Sequence, residues 1–334
     1  MQDNKKPILL SGIQPSGQLI LGNYIGALKH WVAMQDSCDC LFMLPDLHTI
    51  TVRQDPVALR ERCYSFLALY IACGIDPDKS IIFLQSHVPA HSQLAWILSC
   101  YTQMGELNRM TQFKDKSQQH ASNINAGLFA YPTLMAADVL LYGTNRVPVG
   151  DDQKQHLELA RDIALRFNHL YGDIFVVPEP LIPQLGARIM GLQEPNKKMS
   201  KSDANEGNYI AILDPAEKIH HKIKRAVTDS EGSVRFDVSA KPGVANLLTL
   251  YSVLTERPIQ EIEAQYVGKG YGIFKEELAE IVAAFLLPIQ QRYHALRDDQ
   301  NQLRTIFQRG AEQARERARP LLNKVHEVLG FIAD

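Results

Sequence analysis

The chain has 334 residues, enough for one large domain or two with a real core. Hydrophobic residues make up 46% and the formal charge is −2, so no global field holds a polyanion, and any nucleic acid would need a local basic patch. The five cysteines are odd in number and lie mostly in apolar stretches, as reduced core cysteines do; Cys38 and Cys40 form a lone C-x-C that no second pair completes into a zinc site. The longest apolar run, Phe66 to Ile75, falls short of the about 20 residues that span a bilayer. The start shows no apolar export segment, so the expected compartment is the cytoplasm.

Residues 7–12, "PILLSG", are a short apolar run ended by glycine, which predicts a buried strand. Helical spacing follows over 22–35, then a strand over 40–45. Residues 55–74 open on an Asp cap with proline at the first helical position and stop at glycine, a complete helix signature. A third strand is predicted over 80–86, helices over 91–105 and 131–143, a short strand over 146–150 and a helix over 152–172. This alternation means crossover connections and a parallel sheet covered on both faces. From about 213 onward all segments read as helices. The expected architecture is α/β: a Rossmann-like parallel sheet covered by helices over 1–190, a loop and linker over 191–212, and an all-helical domain over 213–334.

Two loops stand out. "SGIQPSGQLILGNY" (11–24) sits where the first strand gives way to the first helix, the place where open parallel sheets bind ligands. Its glycines let backbone approach a ligand and its helix start offers N–H groups to an anion, but it matches neither the dinucleotide nor the Walker pattern. On its own such a stretch is more often only a turn. "NKKMSKSDANEGNY" (196–209) carries three lysines, has neither helical nor strand period, and is ordinarily a solvated surface loop.

Read jointly, "PSGQLILGNY" and "KMSKS" (198–202) resemble the paired signatures of class I aminoacyl-tRNA synthetases. "MTQFKDKS", "YPTLMAAD", "VPVGDDQKQH", "GARIMGL" and "AVTDSEG" resemble the tryptophanyl branch, and the likeness covers nearly the whole chain. The first signature is often His-Ile-Gly-His; here those positions are Ile20, Leu21, Gly22 and Asn23. Asn23 can still donate to a phosphate or ribose oxygen, whereas Ile20 cannot.

The resemblance implies a two-step ligase: ATP and tryptophan give tryptophanyl-adenylate and pyrophosphate, and the aminoacyl group then passes to the terminal adenosine of tRNA(Trp). It implies that Gln14, Pro15, Ser16, Gly22 and Asn23 hold adenosine phosphate and ribose, with Gly150, Asp151 and Asp152 on ribose and adenine and Ile189 against adenine. Lys198, Met199, Ser200, Lys201 and Ser202 would close on ATP, and Lys116 would add a cation at the pyrophosphate. A mobile cationic loop suits charge that develops only in the transition state. Magnesium is expected on the phosphates, without a carboxylate set of its own.

Asp138 is the implied specificity residue. A carboxylate in an apolar helix costs several kcal/mol unless partnered, and the indole N–H is a donor that suits it. Met135, Tyr131, Val147, Val149, Gln153 and His48 would line the same pocket. Tyrosyl relatives carry glutamine where Met135 stands, so Asp138 with Met135 argues against tyrosine. The helical tail argues against a small-molecule adenylyl transferase of the same fold, and the intact lysine loop and Lys116 argue against a non-catalytic nucleotide-binding paralogue. The tail arginines Arg304, Arg309, Arg315, Arg317 and Arg319 are either a solvated face or a contact to the tRNA anticodon stem. A two-fold homodimer is carried over from the same resemblance.

Overall fold

The computed structural model describes residues 6–112, 124–148, 153–181 and 188–332. Five strands form one parallel sheet: β1 (Ile8–Gly12), β2 (Asp39–Leu44), β3 (Ile81–Leu84), β4 (Arg146–Pro148) and β5 (Glu179–Leu181). Their order is β3-β2-β1-β4-β5, so the direction of winding reverses between β1 and β4. At such a switch point the connections leave toward opposite faces and open a crevice at the carboxyl ends of the strands.

The period of two in the strands explains the two-sided core. Leu9, Cys40, Phe42 and Leu44 enter one apolar cluster, and Leu10, Leu41 and Met43 enter the other. On the first face lie α1 (Leu21–Asn23), a π turn over Tyr24–Leu28, α2 (Lys29–Met34) and the long α4 (Pro56–Ala72). Trp31 stacks on Phe42 there with ring centroids 5.0 Å apart. The Asp55 carboxylate accepts from Ala58 N at 2.8 Å and Pro56 opens α4, as the sequence signature requires. A one-turn helix, α3 (Asp46–Thr49), follows β2. On the second face pack α5 (Ala90–Ser99), α7 (Ala126–Leu140) and α8 (Lys154–Tyr171), with the short α6 (Met104–Asn108) beside them.

Two helix limits and one strand differ from the sequence reading. The helix expected over 91–105 stops at Ser99 and restarts at Met104. The helix expected from 131 begins at Ala126, because Asn125 caps it by accepting from Leu128 N at 3.0 Å. β5 was not anticipated: three residues containing Pro180 carry no alternation, and proline is tolerated only because this strand lies at the sheet edge.

Beyond 213 come α9 (Ala216–Lys224), α10 (Pro242–Thr255), α11 (Ile259–Gln265), α12 (Tyr271–Asp298) and α13 (Gln300–Leu329). The first four share the apolar cluster of the first sheet face, from Leu9 through Ile210 to Leu247 and Phe274. α13 starts in the same cluster with Leu303, Ile306 and Phe307, then runs along β3 and places Ala314, Ala318 and Leu322 in the second cluster. The backbones approach so closely that a Cβ on Gly310 would stand 1.9 Å from Ile82 O.

Candidate active site

The two signature loops meet at the carboxyl end of β1. The stretch 13–17 is held from below: Ile13 N donates to the Tyr70 hydroxyl at 2.7 Å, and Arg62 Nε donates to Pro15 O at 3.2 Å. Gly17 takes φ +61°, and a Cβ there would stand 3.1 Å from Lys201 O, so glycine is what lets the lysine loop approach. Lys201 Nζ donates to Gln14 O at 2.6 Å and sits 5.3 Å from the centre of the Phe66 ring. Burial beside that ring lowers its ammonium pKa to about 8. Ser200 and Ser202 bond each other through their hydroxyls at 2.9 Å, while Lys198 is exposed.

Met199 does something else. Its side chain is buried in the core, and a Cβ on Gly22 would come 3.6 Å from it. Met199 therefore anchors the root of the loop under the first helix. Its backbone N–H donates to Ile189 O at 3.0 Å, and Gly191 N donates to Lys197 O at 2.8 Å, which makes 189–199 a short antiparallel hairpin. Leu21 N and Ile212 N donate to Ile210 O and Leu19 O, tying the next segment to the helix that holds Gly22 and Asn23. Asn23 Oδ1 accepts from Ile20 N at 3.2 Å, leaving its amide N–H groups as the donors of this position. Pro15 is buried and Ser16 half-buried.

A second cluster lies deeper. Tyr131, Met135 and Asp138 are spaced four and three apart on α7 and so share one face. Asp138 is only 3% exposed. Its Oδ1 accepts from Gln85 Nε2 at 2.7 Å and pairs with His91 Nδ1 at 2.7 Å; its Oδ2 pairs with His48 Nε2 at 2.8 Å. His91 Nε2 meets the Tyr142 hydroxyl at 2.7 Å. Burial pushes the Asp138 carboxyl up, but the hydrogen bonds and charges of His48 and His91 outweigh it and the pKa is lowered. Burial and the same carboxylate raise the Tyr142 phenol. A carboxylate offers about four lone-pair directions. Three are taken, and the fourth belongs to Oδ2, on the side of His48, whose side chain is 14% exposed against 4% for Asp138. The direction left over therefore lies on the less buried side of the carboxylate, toward His48.

Tyr131 is buried and meets His156 Nε2 at 2.8 Å, with its ring edge-on to His48 at 6.2 Å; Met135 is half-buried and Val147 buried on β4. Gln153 stands before α8. Lys116, Val149, Gly150, Asp151 and Asp152 lie outside the described residues. Sequence reading missed Gln85, His91 and Tyr142. The only sequence signal for them was position: Gln85 and His91 follow the end of β3, where parallel sheets place their sites, and the structure shows both wholly buried.

A parallel sheet with a lysine loop laid over its first strand–helix turn, beside a buried polar cluster around Asp138, has the layout of a nucleotide-binding α/β enzyme. Residues 1–287 match the family described as class I tRNA synthetases (W and Y). The crystal structure of tryptophanyl-tRNA synthetase from Mycoplasma pneumoniae is 36% identical with a TM-score of 0.90, covering 98% of each chain. Tryptophanyl-tRNA synthetase from Campylobacter jejuni, complexed with ADP and tryptophan, is 37% identical with a TM-score of 0.84, covering 97% of this chain and all of that one. A tyrosyl-tRNA synthetase from Archaeoglobus fulgidus is 19% identical with a TM-score of 0.68 over 86% of this chain and 90% of that one, a likeness of fold alone. The chain belongs to the tryptophanyl and tyrosyl family of class I aminoacyl-tRNA synthetases and is a ligase.

Proposed function

We propose that the chain is a tryptophan–tRNA ligase. The tryptophan carboxylate attacks the α-phosphorus of ATP, the bond to the β-phosphate oxygen breaks, and tryptophanyl-adenylate and pyrophosphate result. A ribose hydroxyl of the tRNA terminal adenosine then attacks the aminoacyl carbonyl and AMP leaves. The observation that carries the reading is the seating of Lys201 on Gln14 O, which sets a cation on the loop that would face the triphosphate. Catalysis is positioning plus charge stabilisation, with no side-chain nucleophile.

In this reading Gln14, Ser16, Gly22, Asn23 and the backbone at Ile189 hold ATP. Lys198, Ser200, Lys201 and Ser202 follow charge onto the leaving pyrophosphate, joined by Lys116, while Gly150, Asp151 and Asp152 take ribose and adenine. The indole N–H fills the fourth acceptor direction of Asp138, between His48, Tyr131 and Met135. Magnesium would arrive on the phosphates; among the described residues no group of three His, Cys, Asp or Glu is placed to hold a metal ion. No helix among the described residues is long and apolar enough to cross a membrane, and the reading keeps the expected cytoplasmic placement. The homodimer is part of the same reading; Trp96 and Met104, 73% and 66% exposed on neighbouring helices, offer apolar area to a second copy. Pyrophosphate exchange tests the whole: label should enter ATP only when tryptophan is present, and exchange driven by tyrosine instead would overturn it.

A further inference from the structure

The hairpin that carries the lysine loop is fastened from one side by a residue to which nothing above assigns a role. In an antiparallel pair, backbone groups alternate between facing the partner strand and facing away. Met190 and Lys198 are bridge partners, while the hydrogen bonds run through their neighbours, from Gly191 N to Lys197 O at 2.8 Å and from Met199 N to Ile189 O at 3.0 Å. The N–H and C=O of Met190 therefore point out of the hairpin and need partners elsewhere. Asn246, 6% exposed on α10, supplies both: its Oδ1 accepts from Met190 N at 2.8 Å and its Nδ2 donates to Met190 O at 2.9 Å. A side-chain amide here takes the place of a third strand. Only asparagine or glutamine carries both an acceptor and a donor of this kind, and glutamine is one methylene longer.

We infer that Asn246 is a positioning residue for adenylation, fixing the register of the stretch that meets adenosine. The inference rests on the ligase reading above. Ile189, next to Met190, is the residue expected against adenine, and Met199 and Lys198 begin the lysine loop. The clasp comes from a helix 56 residues further along the chain and touches no reacting atom. Removing it leaves two part-buried backbone groups unpaired, which displaces the hairpin rather than the tryptophan pocket around Asp138. Ground-state ATP binding and the reach of Lys201 should suffer together, and tryptophan binding should not.

The test compares Asn246→Ala and Asn246→Asp with the parent in tryptophan-dependent pyrophosphate exchange. The aspartate keeps the acceptor for Met190 N–H and sets a charge against Met190 O. Both should raise the KM for ATP about tenfold while the KM for tryptophan stays within about twofold. Thr249→Val, which removes only a hydroxyl bonded to its own helix at Ala245 O, is the control and should leave both constants alone. Equal changes in both constants, or a fall in thermal stability with the ATP KM unchanged, would assign Asn246 to the fold only. Amide hydrogen exchange on the parent chain needs no variant: Met190 N–H must be among the protected amides, and fast exchange there overturns the inference. A parent without tryptophan-dependent exchange sinks the ligase reading instead.

Discussion

Lys201 is half-buried and Asp138 buried, and each makes a prediction through its proton. Burial lowers Lys201 to about 8 from an ordinary 10.5. The docked pose therefore disfavours the charged form: docking is least opposed above pH 10.5, and its cost accumulates as pH falls toward 8 and is constant below. A bound triphosphate would restore the charge. ATP binding should then take up protons between about pH 8 and 10.5, and the uptake should shrink as pH falls below 8. Calorimetry in buffers of different ionisation enthalpy measures this, and Lys201→Met should abolish it; equal uptake in parent and variant would move the proton to another group. For Asp138 the folded pKa is lowered, so its stabilisation is present above the ordinary 3.8 and is lost as pH falls through the lowered value. Asp138→Asn offers one oxygen to three donors and no charge to an indole. A charge-assisted bond contributes about 1.5–3 kcal/mol, so tryptophan activation should fall about 10- to 100-fold while the chain still folds. Retained efficiency and retained discrimination against phenylalanine would show that this carboxylate does not read the substrate.

Among the elements, legibility followed periodicity. The strands at Ile8–Gly12 and Asp39–Leu44 and the capped helix Pro56–Ala72 carry strong local signals, and the structure keeps them. Glu179–Leu181 carries none, since three edge residues with a proline owe their strand geometry to a neighbour. The lysine loop was legible by its residues, but not the manner of its seating. Met199 reads as one more loop residue, and only the space above Gly22 makes it an anchor. His91 is a lone histidine on an apolar helix, which in sequence looks like any satisfied core residue; its meaning comes from Asp138, 47 positions away. The seating itself can be tested at Gly17. Alanine there would need φ +61° and would press a Cβ against Lys201 O, a strain of about 1–3 kcal/mol. Gly17→Ala should slow adenylation by about 5- to 150-fold. Gly26→Ala, whose Cβ would meet nothing within 4 Å, should not. If both glycines tolerate alanine equally in pyrophosphate exchange, the contact between the two loops has no catalytic consequence.

The whole molecule gives the tail arginines a different meaning from the one their spacing suggests. A charged amphipathic helix near the end of a tRNA-binding chain reads as a stripe for phosphates. In the fold, α13 covers β3, a sheet edge that would otherwise expose unpaired backbone groups. Three of its arginines reach back to the sheet domain: Arg309 to Pro77 O and Asp78 at 2.8 Å each, Arg315 to His87 O at 2.9 Å, and Arg317 to Asp39. Arg304 and Arg319 make no hydrogen bond or ion pair among the described residues, so the five separate into two sets. Exposed contacts each contribute little, and replacing Arg309, Arg315 and Arg317 together by alanine should lower the melting temperature by a few degrees, about what two exposed ion pairs and one exposed hydrogen bond supply, with tRNA affinity altered only through stability. Replacing Arg304 and Arg319 should leave melting and pyrophosphate exchange unchanged. If the helix also contacts the anticodon stem, that double change removes two phosphate contacts, and the slope of log affinity against log salt should become shallower by about 1.5 to 2. Filter binding of the tRNA from 50 to 200 mM salt reads this directly. An unchanged slope in the double variant, with weakened binding only in the triple one, would make α13 a brace for the sheet edge and place the anticodon contact on another surface.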